Sequence, residues 1–241
     1  MTHCKKTLLL LLTAPLTLLA GTANAALHVL ACEPEWGALA QELGGPLLEV
    51  AVATSAMQDP HQIQAKPSLI ARARSADLVL CTGAELEIGW LPVLLQQSGN
   101  AKVQAGQPGN FAAADHVRKL DVPGQLDRSQ GDVHAAGNPH IQTDPRNIAQ
   151  VATALGARLQ KLDPAHADEY AQRTANFAQR WQQAMARWSA QAAPLKGTAV
   201  VSQHKAFVYL YDWLGLKEVA VLEPKPGVEP QPRTCRACWP A

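Results

Sequence analysis

The stretch that decides the fold runs from Leu27 to Thr54 and reads LHVLACEPEWGALAQELGGPLLEVAVAT. Two short apolar runs flank a segment with helical character. The alternation continues through PSLIARARSADLVLCTG (67–83), EIGWLPVLLQQ (87–97) and AKVQ (101–104). Strands that alternate with helices in this way predict an α/β fold with a parallel sheet. In such a sheet ligands bind at the carboxyl ends of the strands, where the loops converge.

Two helices and a second α/β unit are predicted further along the chain. Between Pro145 and Leu162 the apolar residues recur every three or four positions, which indicates an amphipathic helix. A second helix is expected from about residue 165 to 192; at ~1.5 Å per residue it is roughly 40 Å long, which suits a helix that joins two lobes. The runs TAVVSQ (198–203) and LKEVAVL (216–222) then predict the strands of a small second unit, whereas residues 110–130 are interpreted as loop with short elements.

The amino-terminal residues predict export from the cytoplasm. Lys5 and Lys6 precede an apolar run, and Ala23-Asn24-Ala25 offers small residues for cleavage, so residues 1–25 are interpreted as a signal peptide. The run is shorter than the ~20 residues of a transmembrane helix, and no cysteine follows it at the cleavage point, so we expect a free periplasmic protein without a lipid anchor. We also expect this protein to be a monomer. The formal charge of +1 becomes −1 without the two lysines, and a chain of such balanced charge is not expected to bind nucleic acid.

Outside the predicted signal peptide, which contains Cys4, the cysteines fall into two pairs. Cys32 and Cys81 end two apolar runs, so they become neighbours if those strands pair; the periplasm permits a disulfide between them, and the sequence leaves its formation open. Cys235 and Cys238 lie in the last residues, RTCRACWPA (233–241), where an accidental tail is favoured over a metal or redox role.

Three histidines stand at loop or strand-end positions that an α/β crevice brings together. His61 and His140 each directly follow a proline, and His204 directly follows the run TAVVSQ. Each alone is as well interpreted as a surface histidine, but three in equivalent positions predict a shared metal site. Imidazole nitrogens suit zinc, whereas carboxylates favour manganese, so this set predicts Zn²⁺ in preference to Mn²⁺.

Two further residues are candidates for a secondary role at this site. His134 lies in the same glycine-rich loop as His140 and is either a fourth ligand or a group that supports the ligands. Asp59 is the carboxylate nearest to His61 in sequence, although Pro60 separates the two. The remaining histidines outside the signal peptide are interpreted as core or surface residues: His28, His116 and His166.

From about Leu27 to Pro232 the chain resembles the metal-specific solute-binding proteins of ABC importers, the zinc/manganese group of periplasmic binding proteins. The resemblance rests on the long helix and on the motifs DPHQIQAKPSLIARARSADLVLCTGAELE (59–87), GDVHAAGNPHIQTDPRNIAQVATAL (131–155), SQHKAFVYLYDWLGL (202–216) and LEPKPGVEPQP (222–232). It implies two parallel-sheet α/β lobes joined by a long rigid helix. It also implies that a metal is held between the lobes and handed to a membrane permease of an ABC transporter.

Carried onto this sequence, the resemblance implies that His61 and His140 are ligands from the first lobe and His204 from the second. The resemblance implies that the fourth ligand is usually a carboxylate, or a solvent-exposed position, near the end of the second lobe. Family members continue beyond PKPGVEP for several more strands and helices, so we expect an incomplete second lobe without that region. The expected division is a signal peptide (1–25), an N-terminal metal-binding lobe (26–162), a linking helix (163–196), a partial C-terminal lobe (197–232) and an aberrant tail (233–241).

The leading hypothesis is therefore a periplasmic protein that captures zinc for an importer and performs no chemistry. Because neutral imidazole binds the metal, affinity should fall as the pH drops through about 6.5. A zinc-dependent hydrolase is the chief alternative, since three histidines with an open position also describe a catalytic site; Glu85 and Asp59 are its candidate general bases. A third interpretation is a non-functional fragment whose exposed strands invite aggregation.

Overall fold

The computed structural model describes residues 26–124 and 134–223, together with Lys225, Gly227 and Val228. The predicted signal peptide and the tail that contains Cys235 and Cys238 lie outside the described residues. Among the residues described, no helix combines the length and the apolar character that crossing a membrane requires.

Four parallel strands form the sheet of the first lobe, in the order β2-β1-β3-β4. The strands are β1 (Leu27–Ala31), β2 (Leu48–Val52), β3 (Leu78–Cys81) and β4 (Asn110–Ala112). The helices that connect the first strands are α1 (Pro34–Gly44), α2 (Pro67–Ser75) and α3 (Leu91–Ser98). The predicted parallel α/β fold is confirmed, and the strand order reverses between β1 and β3, which is where open sheets of this kind form a crevice.

The fourth strand differs from the prediction. The run AKVQ, predicted as a strand, instead contains the 3-10 turn Ala101–Val103, and β4 lies in the polar region that was interpreted as loop. The strand exists because Phe111 is buried in the core beside Leu80 of β3, its partner in the sheet. Three residues with a single large apolar side chain are too short a pattern to identify in the sequence.

The two central strands are apolar on both faces because helices cover both faces of the sheet. Val29 and Leu80 pack on one side, with α1 and the two long helices described next. Leu30 and Val79 pack on the other side, against residues of α2 and α3. This double-sided burial explains why the strands appear in the sequence as continuous apolar runs.

Two long helices lie on the first face, α4 (Pro145–Leu162) and α5 (Ala167–Ala192). Tyr170 and Phe177 of α5 are buried in the core of the first lobe. The Trp181 ring nitrogen donates a hydrogen bond to the Pro145 carbonyl at 2.8 Å. Most of α5 is thus fastened to the first lobe before the chain enters the second, which gives the second lobe a rigid base.

The second lobe contains two parallel strands, β5 (Ala199–Ser202) and β6 (Lys217–Val221), connected by α6 (Val208–Leu214). Val201 is 54% exposed and Val219 is 63% exposed, so apolar side chains of this small sheet face solvent. The sheet is held to the first lobe mainly through α6 and the loop before it.

A disulfide joins Cys32 and Cys81, whose Cα atoms lie 4.8 Å apart at the carboxyl ends of β1 and β3. Beside it, the buried Glu33 accepts hydrogen bonds from the backbone nitrogen and the hydroxyl of Thr82, at 3.2 and 3.0 Å. Burial, reinforced by the nearby Glu87 carboxylate, raises the pKa of Glu33 to about 9. Glu33 is therefore a neutral carboxylic acid at neutral pH.

The raised pKa makes the stability of the fold depend on pH. In the unfolded chain Glu33 titrates near its ordinary pKa of 4.5. Its contribution to the free energy of unfolding is therefore fully present below that pH and is lost as the pH rises towards about 9. Glu33→Gln keeps the shape of the neutral carboxylic acid but cannot ionise. We predict that its urea midpoint changes less between about pH 6 and about pH 9 than the wild-type midpoint does. Circular dichroism during urea titration measures both midpoints, and identical pH profiles would contradict the assignment.

Candidate metal centre

Four histidines converge in the cleft between the lobes: His61, His134, His140 and His204. The His61 ring centre lies 5.3 Å from that of His134, 5.9 Å from that of His140 and 6.3 Å from that of His204. The rings of His140 and His204 are 5.1 Å apart. The structure therefore brings the three predicted ligands together and places His134 in the same group.

The Nε2 atoms of these rings form two close pairs. His61 Nε2 lies 3.3 Å from His134 Nε2, and His140 Nε2 lies 3.1 Å from His204 Nε2. A tetrahedral ion with bonds of about 2.0–2.1 Å separates its ligand atoms by about 3.3 Å. Each pair therefore has about the separation of one edge of such a tetrahedron.

Carboxylates fix the orientation of two of the rings. Asp59 Oδ1 lies 2.7 Å from His61 Nδ1, and Glu223 Oε2 lies 2.6 Å from His204 Nδ1. A carboxylate that accepts the Nδ1 proton leaves the Nε2 lone pair free for a metal. Partial burial alone would raise the pKa of Asp59, but hydrogen bonds from the backbone and ring of His61 lower it overall, so Asp59 is ionised. Asp59 therefore supports His61, as Glu223 supports His204.

His140 is the most deeply placed of the three predicted ligands and is buried. Burial, followed by the proximity of His204, His61 and His134, lowers the pKa of His140 to about 3. Its ring is therefore neutral near neutral pH, which is the form that coordinates a metal. Asn138 holds the backbone here, because its side-chain oxygen accepts a hydrogen bond from the His140 nitrogen at 3.0 Å.

A buried tyrosine joins the two lobes next to this loop. Tyr209 of α6 is 2% exposed, and its hydroxyl donates to the Asn138 carbonyl at 2.6 Å and accepts from the Leu120 nitrogen at 3.0 Å. The Asn138 side chain in turn donates to the Lys205 carbonyl, at 2.7 Å. These bonds reach the residues beside His140 and His204, so they set the spacing between the lobes next to these two histidines.

Ion pairs between the lobes supplement this contact at the surface. Arg146 lies 2.7 Å from both Asp144, the N-cap of α4, and Asp212 of α6. Lys205 pairs with Asp121 at 2.9 Å. Exposed pairs of this kind contribute about 0–1 kcal/mol each, so the buried Tyr209 contact is the stronger determinant of how the lobes sit together.

The three other histidines that the structure describes have partners of their own. His28 is near Glu49, His116 stacks on Phe111 and His166 hydrogen-bonds Asp163. Among the described residues, Cys32, Cys81 and Glu87 place possible ligand atoms within 4.8 Å of one another. However, the sulfurs are bonded to each other, and a disulfide offers no thiolate to a metal.

Sequence reasoning missed Glu223 and Tyr209. Glu223 lies in the proline-rich segment after β6, where the resemblance alone offered no role for a carboxylate. Tyr209 occupies a helix position that its apolar pattern identifies as core, and its hydroxyl contacts become visible only when the two lobes are assembled.

Comparisons with known proteins agree with this architecture. The model of the family described as the periplasmic component A of the zinc-uptake complex, ZnuA, matches residues 29–238. A crystal structure of ZnuA superposes with a TM-score of 0.72 at 21% identity, covering 88% of this chain and 77% of that chain. At this identity the structural match establishes the fold.

Three curated relatives differ in the metal that their names state. The zinc-binding lipoprotein AdcA of Streptococcus pneumoniae is 22% identical over 194 residues, 79% of this chain and 38% of the relative. The iron-binding protein YfeA of Yersinia pestis is 27% identical over 186 residues, 75% of this chain and 54% of the relative. The manganese ABC transporter substrate-binding lipoprotein PsaA of Streptococcus pneumoniae is 22% identical over 199 residues, 80% of this chain and 61% of the relative. The chain thus spans between 38% and 61% of these relatives' lengths.

The Tyr209 contact between the lobes is testable by removing a single oxygen atom. Tyr209→Phe keeps the buried ring but leaves the Leu120 nitrogen and the Asn138 carbonyl without this partner, so we predict a loss of about 1–3 kcal/mol in the free energy of unfolding. Tyr211→Phe is the matched control, because it removes a partly buried bond to Ser202 within the second lobe. Urea titration compares the two; an equal or smaller loss for Tyr209→Phe would contradict the account.

Proposed function

The chain belongs to the family of periplasmic zinc-uptake component A, and from that premise we propose that it is the solute-binding component of an ABC importer. It captures a divalent transition metal in the cleft between the lobes and delivers it to the membrane permease. The observation that carries this proposal is the convergence of four imidazole rings whose Nε2 atoms pair at 3.3 and 3.1 Å. That arrangement suits reversible capture of an ion.

The proposed ligands are His61, His140 and His204, with His134 as the fourth. His134 is included because its Nε2 atom lies at ligand spacing from that of His61. The sequence offered His134 as a possible fourth ligand, whereas the resemblance implied a fourth ligand in a region beyond its last motif. In this proposal the glycine-rich loop before α4 supplies two ligands instead of one.

Zinc is proposed in preference to manganese. All four donors are imidazole nitrogens, which suit zinc, whereas manganese favours carboxylate oxygens. The carboxylates of Asp59 and Glu223 each contact the Nδ1 atom of a histidine. The names of similar proteins state zinc, iron or manganese, so the choice of metal rests on the donor atoms of this chain.

Exposure of the ligands indicates how the ion enters and leaves. The His204 side chain is 30% exposed and that of His61 is 17% exposed, whereas His140 is buried. We infer that the ion is first met by the exposed rings and then coordinated by His140, whose neutral form is already established by its surroundings. Release to the permease reverses this order, through the same exposed side.

The hydrolase alternative requires a general base beside a metal-bound water. Its two candidates are both engaged with the backbone or ring of neighbouring residues. Asp59 binds the ring and backbone nitrogens of His61, and Glu85 accepts a hydrogen bond from the Ala135 nitrogen. These contacts favour a role in holding the histidines over proton transfer, so transport is the function that the geometry supports best.

Isothermal titration of the purified mature chain with zinc tests the proposal. We predict one tight site, weakened more than about 100-fold by His61→Ala or His140→Ala, because a direct ligand should contribute more than the 10–100-fold typical of residues behind ligands. His28→Ala is the matched control, since His28 lies on β1 near Glu49, away from the cleft. Absence of zinc binding, or equal affinities for all variants, would refute the metal assignment.

A further inference from the structure

One segment of the first lobe contacts both loops that carry the His61 and His134 pair. Residues 82–90, which we name the bridging turn, connect β3 to α3. On one side the Glu85 carboxylate accepts a hydrogen bond from the Ala135 nitrogen at 2.5 Å, directly beside His134. On the other side the Trp90 ring nitrogen donates to the Pro60 carbonyl at 2.8 Å, directly beside His61.

Close packing reinforces the second of these contacts. A Cβ atom added to Gly89 would lie 3.0 Å from the His61 carbonyl oxygen, so the backbone of the bridging turn runs against the His61 loop. Trp90 itself is buried among α2 and α3 residues. The His61 loop and the bridging turn therefore share one rigid frame, from which Glu85 extends towards the glycine-rich loop.

The backbone of the bridging turn has an unfavourable conformation where it presents Glu85. Gly83, Ala84 and Glu85 have φ values of 78°, 49° and 68°, all in the left-handed region. Glycine adopts this region freely, but alanine and glutamate do so at a cost. Strained backbone of this kind persists only where the surroundings enforce it, and such positions concentrate at functional sites.

A second glutamate provides that enforcement. The buried Glu87 carboxylate accepts hydrogen bonds from the backbone nitrogens of Thr82 and Gly83, at 2.7 and 3.0 Å. Leu86, next to Glu87 in the chain, is also buried. Gly83 packs closely on β4, because a Cβ atom added to Gly83 would lie 2.8 Å from the Cβ atom of Ala112. These contacts fix the backbone of the bridging turn, and the fixed backbone directs Glu85 towards the glycine-rich loop.

We propose that Glu85 is a positioning residue that holds His134 at coordination distance from His61. The inference rests on the proposed metal-binding function and deepens it by naming what selects the fourth ligand. Glu85 fixes the Ala135 backbone, while the hydrogen bond from the Gly137 nitrogen to the His134 carbonyl, 3.1 Å long, closes the loop behind it. Without the Glu85 carboxylate the ion keeps three imidazoles and takes a water molecule in place of His134.

Proton NMR of the Co²⁺-loaded chain tests this proposal, because each metal-bound imidazole gives its own strongly shifted N–H signal. We expect Glu85→Ala to lose the signal of one imidazole and to bind zinc about 10-fold more weakly. Glu85→Gln keeps an oxygen acceptor for the Ala135 nitrogen and should retain every signal. Glu49→Ala, an exposed carboxylate on β2, is the matched control and should resemble the wild type.

Glu85→Gly separates positioning from general stability. Glycine relieves the positive φ at this position, so the urea midpoint should stay equal to or rise above the wild-type value while the His134 signal is lost. Loss of stability and of the signal together would indicate a purely structural role and overturn the proposal. Retention of all signals and of affinity in Glu85→Ala would also overturn it.

The wild-type spectrum distinguishes this inference from the proposed function. A wild-type chain that binds Co²⁺ but lacks a His134 signal overturns the positioning role alone. A wild-type chain that binds neither Co²⁺ nor zinc refutes the metal-binding function, and the role of Glu85 with it.

Discussion

The rest of the structure depends on one constraint: two pairs of imidazole rings are held with their Nε2 atoms about 3 Å apart at the cleft between the lobes. One pair, His61 and His134, belongs entirely to the first lobe, whereas the other joins His140 to His204 of the second lobe. The first pair therefore needs precise loops and the second needs a precise relation between lobes. Each requirement is met by different residues outside the four histidines.

The relation between the lobes depends on a few contacts around Tyr209. Its hydroxyl satisfies backbone groups of two first-lobe segments inside a buried interface, where an unsatisfied polar group is costly. The long helix α5 adds stiffness, because most of it is packed against α4 and α1 instead of standing free between the lobes. The second lobe thus presents His204 and its partner Glu223 at a defined distance from His140.

The sequence predicted what is local and missed what is distant. The strands, the two long helices and the loop histidines follow from periodicity, proline positions and known motifs, so the α/β fold and His61, His140 and His204 could be named. Strand β4 could not, since only Phe111 marks it. The contacts of Glu85 with Ala135 and of Tyr209 with Asn138 span 50 and 71 residues along the chain, and no local pattern encodes such a pairing.

Zinc K-edge X-ray absorption of the purified, zinc-loaded chain tests the central claim most directly. The account predicts a tetrahedral shell of nitrogen ligands at about 2.0–2.1 Å, with the outer-ring scattering of imidazole for every ligand and no sulfur contribution. A shell dominated by oxygen, a sulfur ligand, or imidazole scattering too weak for the three histidines His61, His140 and His204 would contradict it.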